Sequence, residues 1–175
     1  MLIDRLLGRK PARSAGRRLH DAAAAQARAP ALYARLGAPD TTDGRFELLT
    51  AHVLLLVDRL KGEGPEAAQA SQALFDTYVG DLDGALREMG VGDLAVPKRM
   101  KAVGQAFYGR ATVLKAAYAA LPDAVPLRDA IRRTLLQGAD SDPAPLAAYL
   151  IAARAALAAQ PTAAIVAGDV AWPTP

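Results

Sequence analysis

The sequence predicts an all-α fold, namely a single-domain, irregular bundle of about six to seven helices with a basic N-terminal segment and an extended C-terminal arm. Alanine, the strongest helix former, occurs 41 times among 175 residues. Apolar residues recur at intervals of three and four, which is the period of a helix side and not of a strand. The twelve prolines and fourteen glycines fall mostly between these periodic runs, where they end helices.

The length of the chain is typical of one domain, large enough to bury roughly 70% of the surface that the unfolded chain exposes. We expect three parts along it. Residues 1–18 form a basic segment, either amphipathic or disordered, and residues 19–160 form the helical body. Residues 161–175 form the tail, which its β-branched residues and Pro173 predict to be extended.

The spacing of apolar residues predicts the individual helices. Pro30 opens a short helix, and Thr42 or Asp43 is expected to cap the long helix that follows. Gly80 and Gly84, four residues apart inside a helix, indicate a close helix crossing or a kink. The most regular stripe comprises Met100, Val103, Phe107, Ala111, Leu114, Tyr118 and Leu121 and predicts a core helix. The longer predicted helices cover residues 17–29, 45–60, 66–89, 96–121, 126–137 and 143–159.

Several kinds of site are excluded by composition. Without cysteine, the chain can form no disulfide, thiolate metal site, iron–sulfur cluster or cysteine nucleophile. Its two histidines, His20 and His52, are far apart in the sequence, which speaks against a multi-histidine metal site. No apolar run reaches the roughly 18–20 residues that cross a bilayer, so we expect a protein that is soluble or lies on a membrane. We predict no cofactor and no metal.

Positive charge is concentrated at the start of the chain. Residues 1–18 carry a net charge of +5, whereas the other residues sum to −2. The basic isoelectric point therefore results from this segment and not from the body. Because the body has no excess of positive charge, we expect no DNA binding. Apolar residues at helical spacing beside basic ones favour contact with an anionic membrane surface; a disordered tail or a docked helix is the alternative. The expected membrane-contact residues are Leu2, Ile3, Arg5, Leu6, Leu7, Arg9 and Lys10.

Acidic residues cluster between Asp76 and Asp93, but their spacing does not match a calcium-binding loop. Asp83 and Arg87 are four apart on a predicted helix and are expected to pair. A solvated face is the plain interpretation of this cluster, and a partner-binding face is the alternative. His52, in the middle of a helix, is interpreted as a histidine at the edge of the core with a satisfied hydrogen bond.

The helix over 96–121 also has a regular polar side. It is either solvated or docks an acidic partner or the phosphates of lipid or RNA. Its members are Lys98, Lys101, Gln105, Tyr108, Thr112 and Lys115.

Several strings between residues 32 and 137 together resemble the ubiquinol–cytochrome c chaperone family. The two most specific are LREMGVGDL at 86–94 and AFYGR at 106–110; DGRFELL at 43–49, LFD at 74–76 and DLD at 81–83 also match. Lys98 and Lys101 complete the resemblance, although Pro97 beside them departs from the family pattern.

The resemblance implies an all-helical, non-enzymatic chaperone that binds newly made cytochrome b and supports assembly of ubiquinol–cytochrome c reductase, respiratory complex III. It also implies contact with the ribosome near its exit tunnel and with a small helical partner. Because no transit peptide is visible, we expect a bacterial member in the cytoplasm, peripheral at the cytoplasmic face of the inner membrane.

We expect the partner to bind on the strings that carry the resemblance, while Phe107 and Arg110 could equally be internal parts of the fold. Two other functions stay open: a helical enzyme or carrier for an isoprenoid or quinone, and ribosome or RNA binding through residues 1–18. The expected partner-binding set comprises Asp81, Asp83, Glu88, Gly90, Val91, Gly92, Asp93, Lys98, Lys101, Tyr108 and Arg110.

Overall fold

The computed structural model describes residues 2–88, 90, 92 and 95–175, and for residues 2–12 it describes the backbone alone. Within these ranges the chain forms helices and no strand, which confirms the all-α fold class. None of the helices described is both long enough and apolar enough to cross a bilayer. The helices are α1 (Leu2–Ala27), α2 (Pro30–Ala34), α3 (Thr42–Leu60), α4 (Pro65–Glu88), α5 (Val96–Ala119), α6 (Val125–Arg133), α7 (Ala144–Ala158) and α8 (Thr162–Ala167).

Helix α3 lies at the centre of the core and packs against α1, α4 and α7. Its apolar residues occupy several sides, so Leu48, Val53 and Leu56 are fully buried. The helix is capped one residue earlier than expected, because the Thr41 hydroxyl accepts the Gly44 N–H at 3.0 Å. The remaining helices surround α3 and bury their apolar sides against it or against each other.

Helices α1 and α4 cross closely at Gly16. A Cβ atom at Gly16 would overlap the backbone of Ala73, so the crossing requires glycine there. Among the described residues, no atom lies within 4 Å of the position a Cβ would take at Gly80 or Gly84. Of the two alternatives predicted for these glycines, the close crossing was therefore wrong, and the kink stays a prediction. Because α1 begins at Leu2, the N-terminal segment and the first predicted helix form one continuous helix.

The C-terminal tail begins with a short helix, which corrects the prediction that residues 161–175 are extended. Alanines follow Pro161 and favour helix α8, which ends at Gly168 with a φ of 89°. The residues beyond Gly168 bind to the body. The Ala171 N–H donates to Gln160 Oε1 at 2.8 Å, and Gln160 Nε2 donates to the Ala171 carbonyl at 2.9 Å. Gln26 Nε2 donates to the Pro173 carbonyl at 3.1 Å, which ties the tail to α1.

Candidate partner-binding surface

Helix α5 presents a basic, largely exposed side to solvent. Lys98, Lys101 and Lys115 are exposed, as are Gln105 and Thr112 between them. Residues 95–121 contain no acidic side chain. Tyr108, in the middle of this side, is 64% exposed. The arrangement provides one aromatic group within a field of positive charge.

The acidic members of the expected partner-binding set are paired or exposed. Asp81 accepts two hydrogen bonds from the Arg17 guanidinium, at 2.8 and 3.0 Å. The predicted pair of Asp83 and Arg87 is confirmed, with Arg87 Nε donating to Asp83 at 2.8 Å. Glu88 lies exposed near the end of α4.

Some expected site residues are outside the described part of the chain. Gly90 and Gly92 are exposed, but Val91 and Asp93 beside them are not described. The side chains of the expected membrane-contact residues, all within 2–10, are not described either. Partner and membrane contact at these positions therefore stay predictions.

Arg110 lies on another side of α5 and points into the protein. Its Nε donates to Glu47 Oε2 at 2.7 Å, and its Nη2 donates to Glu47 Oε1. Glu47 is only 5% exposed, and Phe107 is buried nearby. Arg110 and Phe107 are thus internal parts of the fold, which was the alternative interpretation of these residues. The sequence predicts no role for Glu47, and its position between Phe46 and Leu48 was the only signal that it is buried.

An aromatic cluster supports Tyr108 from beneath. The ring centroids of Phe75 and Tyr108 are 6.0 Å apart, and those of Phe75 and Phe107 are 5.0 Å apart. Tyr78 continues the cluster inward, 5.4 Å from Phe107. The Tyr78 and Thr50 hydroxyls are hydrogen bonded at 2.8 Å, and burial raises the pKa of Tyr78 to about 12. The exposed Tyr108 ring therefore packs on aromatic residues that are themselves anchored in the core.

A groove runs between α3 and α5, because α5 packs mainly on α4 and α6. Two adjoining hollows of about 310 and 130 Å³ form this α3–α5 groove, and they share Val57 and Lys61 of α3. On α5 the groove is lined by Tyr108, Ala111, Lys115 and Tyr118. In the larger hollow, around Tyr108, helix α4 forms a further wall with Ala68, Ser71, Gln72 and Phe75.

The sequence stripe that predicts α5 as a core helix is only partly covered. Phe107 and Leu114 of that stripe are buried, as expected. Met100, Ala111 and Tyr118, however, are partly exposed. The periodicity was right about which side of α5 is apolar, but the described residues do not cover that whole side.

Tyr118 lies at the far end of the groove beside an ion pair. Its hydroxyl is buried and has no hydrogen-bond partner among the described residues, and burial raises its pKa. The Arg154 guanidinium lies 5.1 Å from the centre of the Tyr118 ring. Arg154 also pairs with Asp58 at 3.3 Å, so the acidic side chain found among the described lining residues already has a cation.

The two histidines are both buried. His52 has the satisfied hydrogen bonds that the sequence predicts: its Nδ1–H donates to the Leu48 carbonyl, and its Nε2 accepts the Tyr149 hydroxyl, each at 2.7 Å. It lies fully buried inside the core, however, and not at its edge. His20 Nδ1 lies 3.4 Å from Asp81 without forming a hydrogen bond, and desolvation lowers the pKa of His20. Among the described side chains, no three His, Asp or Glu residues are grouped as metal ligands would be.

His52 is expected to make the fold sensitive to acid. Burial lowers its pKa to about 4 from an ordinary value of 6.5, although the Leu48 hydrogen bond opposes the shift. Between these pH values the unfolded chain binds the proton and the folded chain does not, so stability falls as the pH falls through this window. We expect His52 to account for a loss of about 2 kcal/mol in unfolding free energy between pH 7 and pH 5.

Urea denaturation of the native protein and of His52→Gln at both pH values measures this loss. The variant lacks the titrating ring and is expected to lose correspondingly less stability on acidification. Equal losses in the two proteins would show that His52 is protonated in the folded state as readily as in the unfolded one.

Comparison with known proteins bears on what this fold does. The family model for the ubiquinol–cytochrome C chaperone matches residues 34–172. The crystal structure of the Cbp3 homolog from Brucella abortus is similar to this chain, with a TM-score of 0.84 and 34% sequence identity, and the likeness covers 99% of this chain and 97% of that one. Among curated proteins no significant match exists. Because the family model spans most of the chain and the structural likeness nearly all of it, the protein belongs to the ubiquinol–cytochrome C chaperone family.

Proposed function

We propose that this protein is a non-catalytic assembly factor that binds newly made cytochrome b and supports the assembly of ubiquinol–cytochrome c reductase. The observation that carries the proposal is family membership over residues 34–172. The family description names ubiquinol and cytochrome c, which are the electron donor and the electron acceptor of respiratory complex III, and cytochrome b is the client that the sequence resemblance implies.

The division between interior and exterior polar groups supports a binding role. Inside, Glu47 is paired with Arg110, and His52 is paired with Tyr149. Outside, α5 presents Tyr108 and three lysines to solvent. Aromatic side chains on a rigid base are typical centres of protein–protein interfaces, because they bury a large area at a small cost in conformational entropy.

A client with several membrane spans requires a chaperone close to the bilayer. Residues 1–18 carry a net charge of +5, which suits an anionic membrane surface, with each basic residue there contributing about 1 kcal/mol. We therefore place the protein at the cytoplasmic face of the bacterial inner membrane, and extend the proposal to the ribosome exit region, where cytochrome b would emerge.

Deleting the gene tests the proposal. Cytochrome b and complex III are expected to fall severalfold while the other respiratory complexes keep their levels, because only the client lacks its chaperone. Expression of the native chain should restore complex III, and so should Arg128→Glu, a charge reversal on an exposed residue of α6. A double reversal on α5, Lys98→Glu with Lys101→Glu, should not restore it. Unchanged complex III in the deletion strain would contradict the proposal.

A further inference from the structure

We propose that the α3–α5 groove binds an α-helical segment of a partner protein whose apolar side is flanked by aspartate or glutamate residues. The inference rests on the proposed function only in that this segment would belong to the client chain. Shape, apolar lining and charge each support it.

The shape of the groove fits one helix. Its α5 side is formed at helical spacing by Tyr108, Ala111, Lys115 and Tyr118, and its α3 side by Val57 and Lys61, four residues apart. Residues 108–118 extend over about 15 Å, which is roughly three helical turns. A helix bound here would insert side chains at positions i, i+3 or i+4, and i+7, as in other helix-in-groove complexes.

The apolar lining accounts for a stripe that the described part of the chain leaves partly uncovered. Ala111 lies partly exposed between Tyr108 and Tyr118, and its small side chain leaves space for an incoming side chain. Phe75 and Phe107 form the base of this region, with ring centroids 5.0 Å apart. The buried Tyr118 hydroxyl lacks a partner within the described residues, so a partner's acceptor atom would satisfy it after a small shift of the ring.

The positive charge of the groove favours a partner segment with acidic side chains. Lys61 and Lys115 both line it, both are exposed, and neither forms an ion pair with any residue that the structure describes. Asp58, the acidic residue in the lining, is already paired with Arg154 at 3.3 Å. The N-terminal helix of a second copy of this chain is a poor occupant, because residues 1–18 carry a net charge of +5.

Two designed helical peptides of about 18 residues, or five turns, test the inference by fluorescence anisotropy with the full-length protein. They share one leucine stripe; one has glutamate on both flanks of the stripe, and the other has lysine. We expect the glutamate peptide to bind about ten-fold more tightly. The double variant Lys61→Glu with Lys115→Glu should reverse this preference, whereas Arg128→Glu on α6 should leave it unchanged.

A second variant distinguishes binding inside the groove from nonspecific binding to apolar surface. Ala111→Leu adds apolar surface but fills the groove, so it should weaken binding of the glutamate peptide about ten-fold while the circular dichroism of the protein stays helical. Equal binding of the two peptides, or binding unaffected by Ala111→Leu, would overturn the inference.

The groove and the proposed function can fail separately. Loss of complex III in the deletion strain without peptide binding would support the proposed function and contradict helix binding in the groove. Peptide binding in the groove together with normal complex III in that strain would support helix binding in the groove and contradict the proposed function. The bound segment would then belong to another client.

Discussion

Arg110→Met is expected to lower the free energy of unfolding by about 3 kcal/mol, because it leaves the Glu47 carboxylate buried without its cation. Glu47 is 5% exposed, and Arg110 supplies both of its guanidinium hydrogen bonds. Methionine retains most of the volume of the arginine stem, so the loss reports charge and hydrogen bonding more than packing. The effect is near the lower end of the range for buried ion pairs, since the Arg110 side chain is 23% exposed. Urea denaturation at neutral pH measures it.

The double variant Glu47→Gln with Arg110→Met is the matched control. Removing both charges should recover most of the lost stability, because no ionised group is then left buried. A loss below about 1 kcal/mol in the single variant would mean that water reaches the Glu47 carboxylate. The folded fraction of Arg110→Met should still bind the glutamate peptide, as Arg110 does not line the α3–α5 groove.

Gly16→Val is expected to destabilise the protein by about 3 kcal/mol, at the upper end of the cost of overpacking. The added Cβ would overlap the backbone of Ala73, and a backbone cannot move aside as a flexible side chain can. Helix α1 would have to separate from α4, disturbing the pair formed by Arg17 and Asp81. Thermal unfolding followed by circular dichroism measures the loss.

Gly80→Ala is the control for this crossing. Gly80 is also a helical glycine, but no atom lies within 4 Å of the position that its Cβ would occupy. Alanine there should stabilise the protein by about 0.5–1 kcal/mol through helix propensity alone. Similar losses from both substitutions would show that α1 and α4 are farther apart at Gly16 than the structure places them.

The helices could be predicted from sequence because their apolar residues and terminating prolines are local signals. Predicted helix 45–60 corresponds to α3, which runs from Thr42 to Leu60, and predicted helix 96–121 corresponds to α5. The tail was mispredicted, because its β-branched residues and Pro173 favour an extended chain, the alanines after Pro161 favour a helix, and packing of α8 on α1 and α4 supports the helix. The glycine at the helix crossing was missed for the same reason. Which glycine faces another helix depends on tertiary contacts that spacing does not report.

The candidate surface could be predicted only in part. The exposed lysines and Tyr108 follow from the regular polar side of α5. The pairing of Arg110 with Glu47 joins residues 63 positions apart, and nothing local relates them. The α3–α5 groove was hidden because an apolar stripe predicts burial without specifying whether the covering atoms come from the same chain or from a partner.

The hydrogen bonds of the tail have a consequence for the protein's own synthesis. Arg18 of α1 binds the Ala167 carbonyl, and Gln26 binds the Pro173 carbonyl. The Trp172 ring lies 5.1 Å from the His52 ring, edge to face. Helix α1 therefore completes these hydrogen bonds only with residues translated almost 150 positions later, and the same tail supplies the ring that packs on His52.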